Sequence, residues 1–212
     1  MTGFITHCWK SAGFDLGRAC RWLLAACWLV CVPVWAQTSS ADITEFKVER
    51  QDGSLLLNVQ LKLELGPALE DALVKGLAVH FVADAEVMRD RWYWYDKKLG
   101  MVSRYYRLAY QPLTRRWRLN VSSEPIAHSG VTSSLSQNFE SLREAIDVIR
   151  RQTSWKVADM SDIDLDARQY VAYRFRLDVS QLPRPFQIAA GNQADWRLDI
   201  ARSLRLTSDM VR

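Results

Sequence analysis

Three aspartates, Asp162, Asp164 and Asp166, alternate along the chain and form the pattern most typical of a bound cation. An EF-hand calcium loop begins with this spacing, because alternate carboxylates supply ligands to one Ca²⁺ ion. The same loop requires glycine at its sixth position and glutamate at its twelfth, where this chain has Ala167 and Tyr173. The pattern therefore favours acidic side chains on the wet face of a strand, and we predict no metal site.

The sequence also contains no motif typical of a histidine metal site, a nucleophilic serine or a phosphate-binding loop. Beyond the first 36 residues the chain has two histidines, His80 and His128, and neither has a metal-ligand pattern near it. No Gly-x-Ser-x-Gly segment, Ser-x-x-Lys segment or glycine-rich phosphate loop occurs. These absences predict a non-enzymatic protein that uses no cofactor.

The clearest binding signal combines arginine and tyrosine on two successive predicted strands. Arg104, Tyr105 and Arg107 belong to the first strand, and Arg116 and Arg118 belong to the second. Cross-strand pairs of such side chains stabilise a sheet by roughly 0.2–1 kcal/mol each, which is a sufficient structural role. Exposed Tyr and Arg are also enriched at binding hot spots. We take these five residues as the candidate partner surface.

All four cysteines lie within the first 31 residues, in a segment typical of an export signal. Three basic residues precede an uncharged apolar run, residues 22–36, which ends in Val34-Trp35-Ala36. Small residues at the −3 and −1 positions are those that signal peptidase requires. We predict a signal peptide over residues 1–36, cleavage after Ala36, and a periplasmic protein. The mature chain would contain no thiol, so neither a disulfide nor a cysteine metal site would stabilise it.

Two other fates of this leader compete with cleavage. An uncleaved leader would anchor the protein in the inner membrane, although its 15-residue apolar run is shorter than the ~20 residues of a spanning helix. Leu24-Ala25-Ala26-Cys27 also has the form of a lipoprotein site, but only five apolar residues separate Arg21 from Cys27. Cleavage after Ala36 is the interpretation we favour.

The charge balance and the length of the remaining chain limit its function class and its number of domains. The leader holds three of the 28 basic and one of the 24 acidic residues, so the remainder carries 25 basic against 23 acidic residues. This balance argues against a general nucleic-acid binder, which needs a concentrated basic surface. One domain is the default for this length. We expect a short polar linker at residues 37–42 and a single domain over residues 43–207.

Alternating apolar residues indicate strands throughout that domain. Residues 55–65 form a long half-buried strand, which residues 51–53 connect to an earlier strand at 43–50 through a hairpin turn. On one later strand Trp117, Leu119 and Val121 share a face opposite Arg116 and Arg118, as in a sheet with one wet face. The further strands are expected at 77–95 with a bend, 101–110, 115–122, 155–158, 170–179 and 196–206.

Two short helices interrupt the strands. Gly66-Pro67 precedes a helix at 68–75 that ends at Gly76. After a loop at 122–136, apolar residues at helical spacing predict a helix at 139–151 with Asn138 as its N-cap. The fold class that follows is mainly β: an antiparallel β-sandwich, immunoglobulin-like in style, with two short helices inserted.

Three segments resemble a known family, the exported bacterial proteins grouped as domain of unknown function 4390. These segments are residues 105–117 (YYRLAYQPLTRRW), 138–145 (NFESLREA) and 182–187 (LPRPFQ). They consist of strand, turn and helix residues and imply no catalytic group. Members often occur beside a nitrogen-regulation-type sensor histidine kinase, so the resemblance implies, by analogy, a role in envelope signalling.

Two function hypotheses follow. The first is a periplasmic β-sandwich that binds an envelope protein, with the extracytoplasmic part of a sensor histidine kinase as one candidate. The second is a carrier for a small hydrophobic or lipid-like ligand held between the sheets. The placement of Trp92, Trp94, Tyr105 and Tyr106, either lining an internal cavity or lying at the surface, separates the two.

Overall fold

Nine strands form the framework of the described chain. A computed structural model describes residues 38–91, 95–126, 134–164 and 167–207, without the side chains of Ala189 and Asn192. The strands are β1 (Ser40–Gln51), β2 (Ser54–Glu64), β3 (Val79–Arg89), β4 (Lys97–Gln111), β5 (Arg116–Ser122), β6 (Leu135–Phe139), β7 (Arg151–Asp159), β8 (Gln169–Leu177) and β9 (Asp199–Arg205). They make two antiparallel sheets, one in the order β1-β2-β7 and one in the order β6-β5-β4-β3-β8-β9.

The core lies between the two sheets, where the apolar faces of the alternating strands meet. Alternate residues of β2, from Leu55 to Leu63, are buried against the inward face of the larger sheet. Phe81 on β3 and Phe175 on β8 stack there, with ring centroids 5.6 Å apart. Each fully buried side chain of this size contributes about 1.5–3 kcal/mol. The predicted fold class, a mainly β sandwich with short helices, is confirmed.

The hairpin predicted between the first two strands is present at Asp52 and Gly53. Both residues have positive φ, 50° at Asp52 and 73° at Gly53. Two consecutive positive φ angles match the right-handed twist of the flanking strands, which is why Asp-Gly is favoured in two-residue loops. The turn sets the register in which Gln51 pairs with Ser54.

The described residues form three helices rather than the predicted two. They are α1 (Pro67–Val74), α2 (Leu142–Arg150) and α3 (Arg184–Asn192). The third was missed because Leu182-Pro183-Arg184-Pro185 looked only like the end of a strand. Proline is also compatible with the first turn of a helix. The Gln187 amide secures this turn by donating to the carbonyl of Leu182 at 2.7 Å.

The start of α2 differs from the prediction. Its N-cap is Ser141, whose hydroxyl accepts from the backbone N–H of Glu144 at 3.3 Å, and not Asn138. Asn138 and Phe139 belong instead to β6, where they pair with Arg118 and Trp117 of β5. Strand β6 therefore combines the last two residues of the predicted loop, Leu135 and Ser136, with residues predicted to begin the helix. Its backbone groups pair with β5, a long-range contact that local sequence patterns do not reveal.

The bounds of several strands also differ from the prediction. Residues 97–100, which lie between two of the predicted strands, begin β4 and pair with the end of β3. The strand predicted at 77–95 ends at Arg89, and the last strand begins at Asp199 after a 3-10 turn, Ala194–Trp196. No helix among the described residues is long and apolar enough to cross a membrane. The leader with its four cysteines, Trp92, Trp94, His128 and Asp166 lie outside the described residues.

Candidate functional site

Four of the five predicted surface residues lie on the outer face of the six-stranded sheet. Tyr105 pairs in register with Ser122, and Arg107 pairs with Asn120, so both point away from the core with Arg116 and Arg118. Their inward neighbours on the same strands, such as Leu108 and Leu119, are fully buried. We call Tyr105, Arg107, Arg116 and Arg118 the arginine surface.

The fifth residue, Arg104, lies on the opposite face and is not part of this surface. Its guanidinium carbon lies over the indole of Trp155, 4.7 Å from the ring centroid, on the facing sheet. Arg104 precedes Tyr105 by one position, and successive side chains of a strand point to opposite faces. Grouping Arg104 with Tyr105 and Arg107 was therefore incorrect.

The charges of the arginine surface have no acidic partners among the described residues. Strands β4, β5 and β6 contain no aspartate and no glutamate. None of the ion pairs between described residues includes Arg107, Arg116 or Arg118. Arg118 donates to the side-chain oxygen of Asn138 at 3.4 Å, which leaves its charge uncompensated. This half of the face is consequently a local cationic surface on a protein of nearly balanced charge.

The outer face of β3, β8 and β9 is arranged differently, and we call it the paired half. Asp84 accepts from the Ser103 hydroxyl at 2.6 Å and from the Arg176 guanidinium. Arg174 and Asp199 form a two-bond ion pair across β8 and β9. The Arg174 hydrogen bond holds the pKa of Asp199 below its ordinary value. Because its acids are bonded within the protein, the paired half offers little free charge to a partner.

Tyrosine chemistry in the two regions also differs. On the outer face, the Tyr170 hydroxyl donates to the Asp96 carboxylate at 2.7 Å, and this bond is the main reason that the Tyr170 pKa rises to about 12. Between the sheets, burial raises the pKa of Tyr106 and of Tyr173. Arg104 opposes the rise at Tyr106, since a nearby cation favours the phenolate. These tyrosines are neutral, so none is a base or nucleophile at ordinary pH.

Of the three alternating aspartates, Asp162 and Asp164 lie within the described residues. Asp162 ends a 3-10 turn, Met160–Asp162, and Asp164 follows it as the exposed partner of Arg89, at 3.4 Å. They therefore do not begin a strand, contrary to the prediction. The described residues contain no group of three or more histidine, cysteine, aspartate or glutamate side chains placed to hold a metal ion.

The sequence analysis missed two acidic residues on the outer face of β3, although their spacing indicated them. The run from Val79 to Arg89 alternates, with Asp84 and Glu86 on the face opposite Phe81 and the alanines. This spacing places the two acids on the wet face. Their partners, Arg176 and Lys98, lie on β8 and β4, and only the pairing of the strands brings them together.

A family model matches most of the chain. The match is to domain of unknown function (DUF4390) and covers residues 38–205, so the chain belongs to this family. No match was found among curated proteins or among solved structures. The predicted resemblance is confirmed.

Proposed function

We propose that this protein is exported to the periplasm, has no catalytic activity, and binds another envelope protein through the arginine surface. The observation that carries the proposal is the lack of any acidic residue in β4, β5 and β6, which present three outward arginines. Like charges on neighbouring strands repel, so this arrangement costs stability unless another molecule supplies anions. A partner with surface carboxylates would supply them.

Arginine suits this role better than lysine. Its planar guanidinium makes two parallel hydrogen bonds to one carboxylate, which adds orientation to charge. Tyr105, half-buried beside Arg107, adds an aromatic contact of the kind enriched at hot spots. The expected partner surface is therefore acidic and protein-like. The extracytoplasmic part of a sensor histidine kinase is one candidate, and this suggestion depends on the family analogy alone.

The test replaces two outward arginines. Arg116→Ala combined with Arg118→Ala should leave the melting temperature nearly unchanged, because exposed charges contribute little to folding. The same variant should weaken the affinity for the native membrane partner by at least about tenfold, which corresponds to about 1.4 kcal/mol of lost binding free energy. Raising the salt concentration should weaken wild-type capture as well, because salt screens exposed charges.

A matched control removes the same net charge elsewhere. Arg143 on α2 and Arg184 on α3 are exposed and belong to no ion pair between described residues. Arg143→Ala with Arg184→Ala should bind as the wild type does. Equal losses in the two double variants would indicate a general charge effect and would exclude the arginine surface as the interface.

Export has its own test. N-terminal sequencing of the protein recovered from the envelope should begin at Gln37, if the leader is removed after Ala36. A chain that retains Met1 would instead indicate the inner-membrane anchor, and a lipidated Cys27 would indicate a lipoprotein. Either result would change the location and leave the binding test unaffected.

A further inference from the structure

A groove lies between strands β4, β5 and β6 and strand β7, and its lining includes Tyr105 of the arginine surface. Its volume is about 770 Å³, within the usual range of small-molecule sites. Its lining is mixed: Val102, Val121, Leu135 and Trp155 supply apolar surface, Ser103, Ser122 and Ser123 supply hydroxyl groups, and Arg104 supplies a positive charge. Leu135 is 63% exposed, so one apolar wall of the groove remains open to solvent.

Arg104 has an unusual environment for a charged residue. It is half-buried, it faces the core side of its strand, and its guanidinium stacks on Trp155. No ion pair between described residues includes Arg104. The indole face attracts a cation, but it does not neutralise the charge. A charge that is partly removed from water attracts an anion more strongly than a surface charge does.

We propose that this groove binds an amphiphilic anion, with the anionic head group at Arg104 and the hydrocarbon part against Val102, Val121, Leu135 and Trp155. The charge complementarity decides the class of ligand: an apolar groove alone would accept any hydrophobic molecule, whereas one uncompensated arginine selects an anionic end. The site is separate from Arg107, Arg116 and Arg118, none of which lines the groove, although Tyr105 borders both.

The first measurement compares three probes that share a ten-carbon chain. Decanoate, decanol and decylammonium carry a negative, a neutral and a positive head group of similar small size. The protein is purified from the cell envelope without detergent, and the affinity of each probe is measured by equilibrium dialysis. The affinity for decanoate should be at least about tenfold higher than the affinity for decanol. That ratio corresponds to one charge-assisted hydrogen bond. Decylammonium should bind more weakly than decanol. Decyl phosphate serves as a fourth probe and shows whether the head group preferred is carboxylate or phosphate.

Variants then locate the site. Arg104→Ala should lower the decanoate affinity to about that of decanol and leave decanol binding unchanged, and a thermal melt checks that the variant folds. Leu135→Glu tests the opposite wall without altering Arg104, since Leu135 is already exposed. It should weaken decanoate binding about tenfold by adding a negative charge. The matched control is Leu113→Glu, in the fully exposed turn between β4 and β5, which should bind as the wild type does.

Three results would overturn the proposal. These are equal affinity for the three head groups, unchanged decanoate binding in the folded Arg104→Ala or Leu135→Glu protein, and no decanoate binding at millimolar concentration. None of them bears on partner capture by the arginine surface. That proposal stands or falls with Arg116 and Arg118.

Discussion

The outer face of the six-stranded sheet contains two halves: in one the charged side chains form ion pairs within the protein, and in the other they form none with described residues. In the paired half, Asp84, Glu86 and Asp199 each bond to a basic side chain on a neighbouring strand. In the arginine surface, Arg107, Arg116 and Arg118 have no acidic partner among the described residues. Both halves belong to one sheet and have the same alternation of wet and buried residues.

This difference separates charge that serves the fold from charge that is available to another molecule. The polar contacts of Asp84 are internal, and its carboxylate is mostly removed from solvent. Beneath the arginine surface, β5 is anchored by inward residues such as Trp117 and Leu119, which are buried. We therefore expect substitutions on the paired half to change stability, and outward substitutions on the arginine surface to change binding.

The largest expected change in stability comes from a substitution on the inward face of β5, beneath the arginine surface. Trp117 is 7% exposed, and its ring lies 4.9 Å from that of Tyr110. Trp117→Ala should lower the free energy of unfolding by roughly 3–5 kcal/mol, because it leaves a large cavity. Chemical denaturation measures the change. A loss as large from Arg118→Ala, one position further along the strand, would show that the two faces of β5 are assigned wrongly.

An intermediate effect is expected in the paired half. Asp84→Ala should cost about 1–3 kcal/mol, because it leaves the Ser103 hydroxyl and the Arg176 guanidinium without their acceptor. Arg118→Ala breaks one exposed bond to Asn138 and should stay within about 0.5 kcal/mol. Denaturation of the two variants side by side measures the contrast. Equal costs would mean that the two halves do not differ in how their charges support the fold.

The smallest expected effect is a change in how stability depends on pH in acid. The pKa of Asp199 in the folded protein lies below its ordinary value of 3.8, chiefly through the hydrogen bond from Arg174. Its contribution is therefore present above that pH and is lost as the pH falls below it. Asp199→Asn should remove this part of the acid dependence of stability, in a pH series of thermal melts. The pair is exposed, so the change is small. The arginine surface should show no such dependence, since guanidinium groups stay charged in acid.

Local patterns in the sequence predicted most of the strands and the two faces of β5, but they missed β6 and the start of β4. Trp117 and Leu119 are buried, whereas Arg116 and Arg118 are exposed, as the alternation predicts. The prediction is local because successive side chains of any strand point to opposite faces. The Asp-Gly turn was predictable for the same reason, since positive φ is a property of the residues themselves. The error at Arg104 came from grouping it by residue type rather than by this alternation.

What the sequence by itself determined is therefore local: strand positions, the inward and outward faces of β5, and the family signature. Only the tertiary structure decided which charges meet. Asp84 and Arg176 are 92 positions apart, and they pair because β3 and β8 are neighbours in the sheet. Arg104 likewise meets Trp155 only through the packing of one sheet on the other. Such contacts depend on the pairing order of the strands, a global property of the folded chain that no short segment specifies.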